Sequence, residues 1–121
     1  MEGLLRLFSL NAAADLSAHQ FAFVTIDTAS RVNLTGAGLN ADAVLQDTPA
    51  ALDRAAALAF PGSITKILIG AGGLTKGDHV ASGANGTAVT AASTNIILGT
   101  CIKGGLSGEL GDMLFHPRGA A

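Results

Sequence analysis

The chain has 121 residues, a formal net charge of −2 and one cysteine, Cys101. That length supports one modest core. The charge leaves no basic stripe to hold nucleic acid, and a lone thiol gives neither an internal disulfide nor a thiol-based zinc site. Hydrophobic residues make up 49% and charged residues only 13%, about half of the roughly 25% usual in globular chains. The composition is too apolar for disorder, and no apolar run reaches the roughly 18 residues of a membrane span.

Residues 1–14 (MEGLLRLFSLNAAA) read as an N-terminal arm. Glu2 occupies the place of a signal peptide's positive region and Arg6 interrupts the apolar run, which argues against a cleaved leader. Leu4, Leu5, Leu7, Phe8 and Leu10 would be an exposed apolar liability. They need cover as the first strand of the domain, on a sister copy or on another protein.

Turn formers then recur about every 8–12 residues, which predicts short strands over long helices. Residues 20–26 (QFAFVTI) alternate, with Phe21, Phe23 and Thr25 on one face and Ala22, Val24 and Ile26 on the other. The polar cluster at 27–30 and the alternation resumed at 31–35 predict a hairpin. A loop at 36–40 precedes a short strand at 43–46. Residues 48–60 (TPAALDRAAALAF) are ambiguous. Thr48 as N-cap, Pro49 at the first helical position and a Leu52, Ala55, Ala56, Ala59, Phe60 stripe predict a helix over 49–60. The rival is a turn at 51–53 followed by a strand at 54–60.

The run 64–70 (ITKILIG) is a strand with Lys66 on a partly solvated face. Strands at 79–82 and 87–91 flank Asn85-Gly86, whose tolerance of positive φ is a hairpin signal. Residues 95–103 form a longer strand interrupted at Gly99, where a bulge or a close backbone approach is expected. A turn at 104–108 leads to a last strand over 109–116, and 118–121 is expected to fray. Val24, a turn and Val32 faintly echo Val80, a turn and Val89, as two similar hairpins would.

No residue set argues for catalysis. Cys101 sits in an apolar strand and reads as a small core hydrophobe. His19, His79 and His116 lack metal-ligand spacing, and no nucleophile elbow, phosphate loop or dinucleotide fingerprint is complete. The carboxylates are scattered, and a chain without Trp or Tyr has no aromatic platforms for sugar. Gly77-Asp78 and Gly111-Asp112 read as turn residues. No cofactor, no metal, no nucleic acid and no membrane partner is expected.

Several segments taken together resemble a known group. They are Asp15-Leu16-Ser17 before the Phe/Val strand, Leu45-Gln46-x-x-Pro49 before the alanine-rich stretch, Gly77-Asp78-x-Val80, and Leu98-Gly99. Over about residues 15–118 the chain resembles the capsid decoration, or cement, proteins of tailed bacteriophages. The resemblance implies an all-β fold, a compact β-barrel or β-tulip-like domain of short antiparallel strands over 15–117, with a strand at 54–60. This chain departs there by carrying alanines instead of β-branched residues. It further implies a non-enzymatic virion protein on the outer surface of the head. Such a protein would bind the major capsid protein, commonly as a homotrimer, and brace the expanded shell against packaged DNA. The arm residues Leu4, Leu5, Leu7, Phe8 and Leu10 are then candidate capsid contacts. A second expectation is a small β-domain binding a ligand or sugar, as a head-fibre or receptor-binding module.

Overall fold

A computed structural model describes residues 7–49 and 51–120. The described chain is all-β, with a single one-turn 3₁₀ segment and no α-helix among those residues. The first half builds a closed five-stranded barrel. Its strands are β1 (Leu7–Ala12), β2 (Phe23–Ile26), β3 (Arg31–Leu34), β4 (Ala43–Leu45) and β5 (Ala55–Ala59), ordered β1-β3-β2-β4-β5. The second half builds a five-stranded sheet from β6 (Ile64–Leu68), β7 (His79–Ser82), β8 (Ala88–Thr90), β9 (Ile96–Lys103) and β10 (Leu110–Ala120), ordered β6-β10-β9-β7-β8.

All strand pairs are antiparallel except β1 with β3, which run parallel at Asn11–Arg31 and Ala12–Val32. One parallel pair is thus added to the expected antiparallel strands. The strand β1 and the second strand of the first hairpin, β3, point the same way, and their contact closes the cylinder.

The barrel lumen is filled by Ala12, Leu16, Val24, Val32, Ala43, Leu45, Ala56 and Leu58, all buried. Small and large side chains alternate there, as a narrow lumen requires. A second core lies between barrel and sheet. Phe23, Val44 and Ala59 enter it from the outside of the barrel wall, and Ile67, Val80, Leu98, Met113 and Phe115 from the sheet. Strand β4 is therefore buried on both faces, and β2 and β5 are so at the ends that carry Phe23 and Ala59. This explains why β4 is apolar at every position, since the period-2 alternation supplies one side chain to each core in turn.

It also decides the ambiguous segment. The helix at 49–60 does not form. Asp53 turns the chain at a φ of 64°, and Ala55–Ala59 become β5 between β1 and β4. Alanine's helix preference is a fraction of a kcal/mol per residue, roughly 0–0.7 relative to other ordinary residues. Two flanking ladders and two cores outweigh it, and the small side chains let the sheet approach the wall closely.

Other expectations hold with local changes. The 27–30 turn is locked by Asp27, whose Oδ1 accepts from the amides of Ala29 and Arg31 at 2.9 and 3.0 Å. The β2–β3 and β7–β8 hairpins realise the internal echo, one in each layer. The Asn-Gly turn is wider than a two-residue loop. The ladder stops at Ser82–Ala88, and Gly83 N–H donates to Thr87 O at 2.6 Å across a 3₁₀ turn. Asn85 and Gly86 do adopt positive φ, 55° and 74°.

Gly99 sits at the expected close approach, where a Cβ would collide with the Leu114 carbonyl oxygen. Of the end expected to fray at 118–121, residues 118–120 continue β10 past a register shift, so that Gly119 and Ala120 pair with Ile97 and Ile96, and Ala121 lies outside the described residues. Phe21 departs most. Its φ of 66° takes it out of the strand, and its backbone bridges the layers, with its N–H donating to Leu45 O and its carbonyl accepting from Leu68 N–H.

Candidate functional site

The residues singled out for an arm fall in two places. Leu4 and Leu5 lie outside the described residues. Leu7, Phe8 and Leu10 belong to β1, which pairs with β5 from Leu7–Ala59 to Asn11–Ala55. Leu10 packs partly on the lumen core. Phe8 is 61% exposed, with its ring 6.1 Å from that of Phe60. Phe8 presents a large apolar surface to solvent.

Three surface features surround this frame. The first is the outer face of the sheet. Ile64 on β6 and Leu114 on β10 are cross-strand partners at 38% and 39% exposure, with Leu110 at 44% one side and Ile102 at 42% at the bulge opposite Asp112–Met113. Between them Lys66 Nζ approaches Asp112 Oδ1 at 3.5 Å, also as cross-strand partners. Asp112 is thus a strand residue, not the turn residue its Gly-Asp context suggested. An apolar strip interrupted by one mixed-sign pair can meet a partner by burial and still be oriented by charge. The alternation at 64–69 already placed Ile64 beside Lys66 on the solvated face. Leu110, Leu114 and Ile102 needed the register between β6, β10 and β9.

The second feature is a groove of about 450 Å³ at the β6 edge, lined by Phe21, Gln46, Ile64, Thr65, Lys66 and Asp112. Gln46 Nε2 donates to Thr65 Oγ1 at 2.7 Å and ties barrel to sheet at its floor. The third is a polar notch of about 380 Å³ beside β1 and the 27–30 turn. There Arg31 grips Asp53 with two bonds, Nε to Oδ1 at 2.7 Å and Nη2 to Oδ2 at 3.1 Å. The carboxylate raises the Arg31 pKa further, mainly through the hydrogen bond. Both partners are largely exposed, so the pair orients the notch more than it stabilises the fold.

The remaining candidates do not gather. Among the described residues no three His, Cys, Asp or Glu side chains form a metal-holding group. His19 lies in the barrel's β1–β2 connection, His79 on β7 and His116 on β10. Asp78 has the expected turn role, accepting from Thr75 N–H at 2.9 Å. Asp15 is held below its ordinary pKa by hydrogen bonds from Ser17, side chain first and backbone second.

Cys101 is buried in the interlayer core, and burial pushes its thiol pKa up, with Asp78 and Asp112 adding to the effect. The thiol stays protonated at neutral pH. Native protein is expected to resist thiol-directed reagents at pH 7.5 and to label fully in denaturant. Rapid native labelling, followed by absorbance, would contradict the burial.

No helix among the described residues is long and apolar enough to cross a membrane. No family model matches the chain, and no curated protein matches it. Among solved structures the fold is similar to that of the head fiber gp8.5 N base in bacteriophage phi29, with a TM-score of 0.74 over 97% of this chain and 98% of that one. Sequence identity is 14%, so what the two share is the fold.

Proposed function

We propose that this chain is a structural protein of a phage head, acting by binding and not by catalysis. The observation that carries the proposal is the end-to-end likeness to a head fiber base, at a TM-score of 0.74. The segments resembling capsid decoration proteins point the same way. Physical chemistry supports it as well. Low charge, small side chains and an apolar strip on one sheet face suit a surface that is covered in use. In this proposal the chain assembles as a homotrimer and attaches to the major capsid protein on the outside of the shell. Many modest contacts on a lattice then add up to firm attachment and brace the expanded shell.

The strip of Ile64, Leu110 and Leu114 is the attachment face in this proposal. The double variant Ile64→Lys/Leu114→Glu is expected to lose about tenfold or more in head binding, equivalent to at least ~1.4 kcal/mol. Its own stability should change by about 1 kcal/mol or less, because both sites are over one-third exposed. Co-sedimentation with expanded phage heads reads the first quantity and urea denaturation the second. Wild-type binding by a folded variant would remove the sheet face from the proposal. Failure of the wild-type chain to sediment with heads would remove the proposal itself.

The fibre-base neighbour favours one further reading, in which the chain is the footing of a projecting fibre. Electron microscopy of decorated heads separates the two. A projection at each attachment point indicates a footing, and a smooth, pressure-resistant shell indicates a cement.

A further inference from the structure

The seam of the barrel between β1 and β3 is only half closed. These strands pair at Asn11–Arg31 and Ala12–Val32 and, among the described residues, β1 has no partner on this side earlier along its length, because the 27–30 turn takes the chain away. Which main-chain groups this leaves open follows from the ladder. Ala12 N–H donates to Arg54 O, and Ala13 N–H to Val32 O, at 2.8 Å each. In an antiparallel ladder the direction alternates residue by residue. Phe8 and Leu10 therefore bond β5, while the N–H and C=O groups of Leu7 and Ser9 point to the open side. No charge and no proline interrupts the described strand Leu7–Ala12 (LFSLNA), so this edge lacks the usual guards against strand addition.

The polar notch lies directly beside the opening, lined by Ser9, Asn11, Ser30 and Arg31. A single extended chain is enough to reach the unpaired main-chain groups there. We propose that the occupant is Met1–Arg6 of a second copy of this chain, added antiparallel to β1. Six extended residues span about 20 Å, enough to cover the unpaired run. Antiparallel addition sets Glu2 at the Arg31 end, where the bidentate bond to Asp53 leaves guanidinium Nη1 without a partner among the described residues. Strand alternation turns one of Leu4 and Leu5 to the side where Phe8 and Phe60 lie exposed or half-exposed. Main-chain bonds, one charge pair and one apolar cover are thus supplied by the same short segment. The inference rests on the homo-oligomer proposed above and needs no head shell.

Three variants test it by light scattering and non-reducing electrophoresis of the isolated protein. Ser9→Pro removes the outward N–H without touching the β5 ladder, so the protein should keep its circular dichroism yet self-associate roughly tenfold or more weakly. Deletion of residues 2–6 should do the same. Copies carrying Leu4→Cys, mixed with differently tagged copies carrying Ser9→Cys on a Cys101→Ala background, should form disulfide-linked hetero-pairs. Wild-type oligomer mass in both of the first two variants would overturn the proposal, as would disulfides formed only within one chain. Unchanged self-association with lost head binding in the deletion would overturn it too, and would assign the segment to the shell. A monomeric wild-type chain would defeat the homo-oligomer and the arm exchange together, whereas an oligomer indifferent to the arm defeats only the exchange.

Discussion

Replacing Phe115 with alanine is expected to cost about 3–5 kcal/mol of stability, a large share of the roughly 5–15 kcal/mol available to a domain. Phe115 is fully buried at the boundary of the two layers, with its ring 6.1 Å from that of Phe23 on the barrel wall. Its truncation leaves a cavity that neither layer can collapse into. The rigid sheet lies on one side, where Phe115 pairs with Gly99, and a closed cylinder lies on the other. Phe115→Leu should recover most of the loss. Phe115→Ala and Phe23→Ala should be non-additive, because each empties part of the same space. Urea midpoints of the single and double variants check this. A loss below about 1 kcal/mol for Phe115→Ala would mean that barrel and sheet do not share an interior.

Gly99→Val is the second large effect, and it has the opposite cause. A Cβ at 99 would fall on the Leu114 carbonyl oxygen and within 2.9–3.0 Å of Met113 Sδ and Cγ. The methionine can turn aside, but the carbonyl belongs to the neighbouring strand and cannot. Overpacking of this kind costs typically about 1–3 kcal/mol and more where backbone must move, so Gly99→Val is expected to lie at or beyond the upper end. Gly72 offers a control. Nothing lies within 4 Å of a Cβ built there, and the strain comes only from its φ of 88°. Gly72→Ala should therefore cost about 1–2 kcal/mol, the penalty of left-handed backbone. Thermal unfolding of the two variants separates steric from conformational cost. Equal losses would contradict the assignment at Gly99.

The strands with one wet face were legible from the sequence because period-2 alternation survives in them. The run 64–69 and the hairpin over 23–34 are examples, and Asn85-Gly86 announced its own backbone. Ala55–Ala59 was not legible in the same way. Its burial alternates, but alanine fills wet and buried positions alike, so the alternation leaves no mark in the sequence and the run looks helical. What made it a strand was the pair of ladders to β1 and β4, which no local window contains. Phe21 was misplaced for a related reason. Its aromatic character fits a strand, but its left-handed φ comes from a backbone bridge between two layers formed by distant residues. The surface strip was half legible. Ile64 sat beside Lys66 in the pattern, while its partner Leu114 is fifty residues away and joined it only through register. The arm was recognised as an apolar segment in need of cover. The structure divides it, making Leu7 onward a barrel strand, so a deletion reaching Leu10 would remove a wall and not merely a contact.

The division of the chain between layers has a consequence during synthesis. The barrel strands all lie within Leu7–Ala59 and the sheet strands within Ile64–Ala120. A nascent chain can close its cylinder while the sheet is still in the ribosome. Its wall then presents Phe23, Val44 and Ala59 to water. That wall stays bare until β10 emerges, because β10 carries Met113 and Phe115 and lies between β6 and β9. Elongation runs at about 5–20 residues per second, so the sixty-residue interval lasts seconds. Over that time neighbouring nascent copies could capture one another through the uncovered wall. A pause in translation after residue 60 should raise aggregation, and faster passage through 64–120 should lower it.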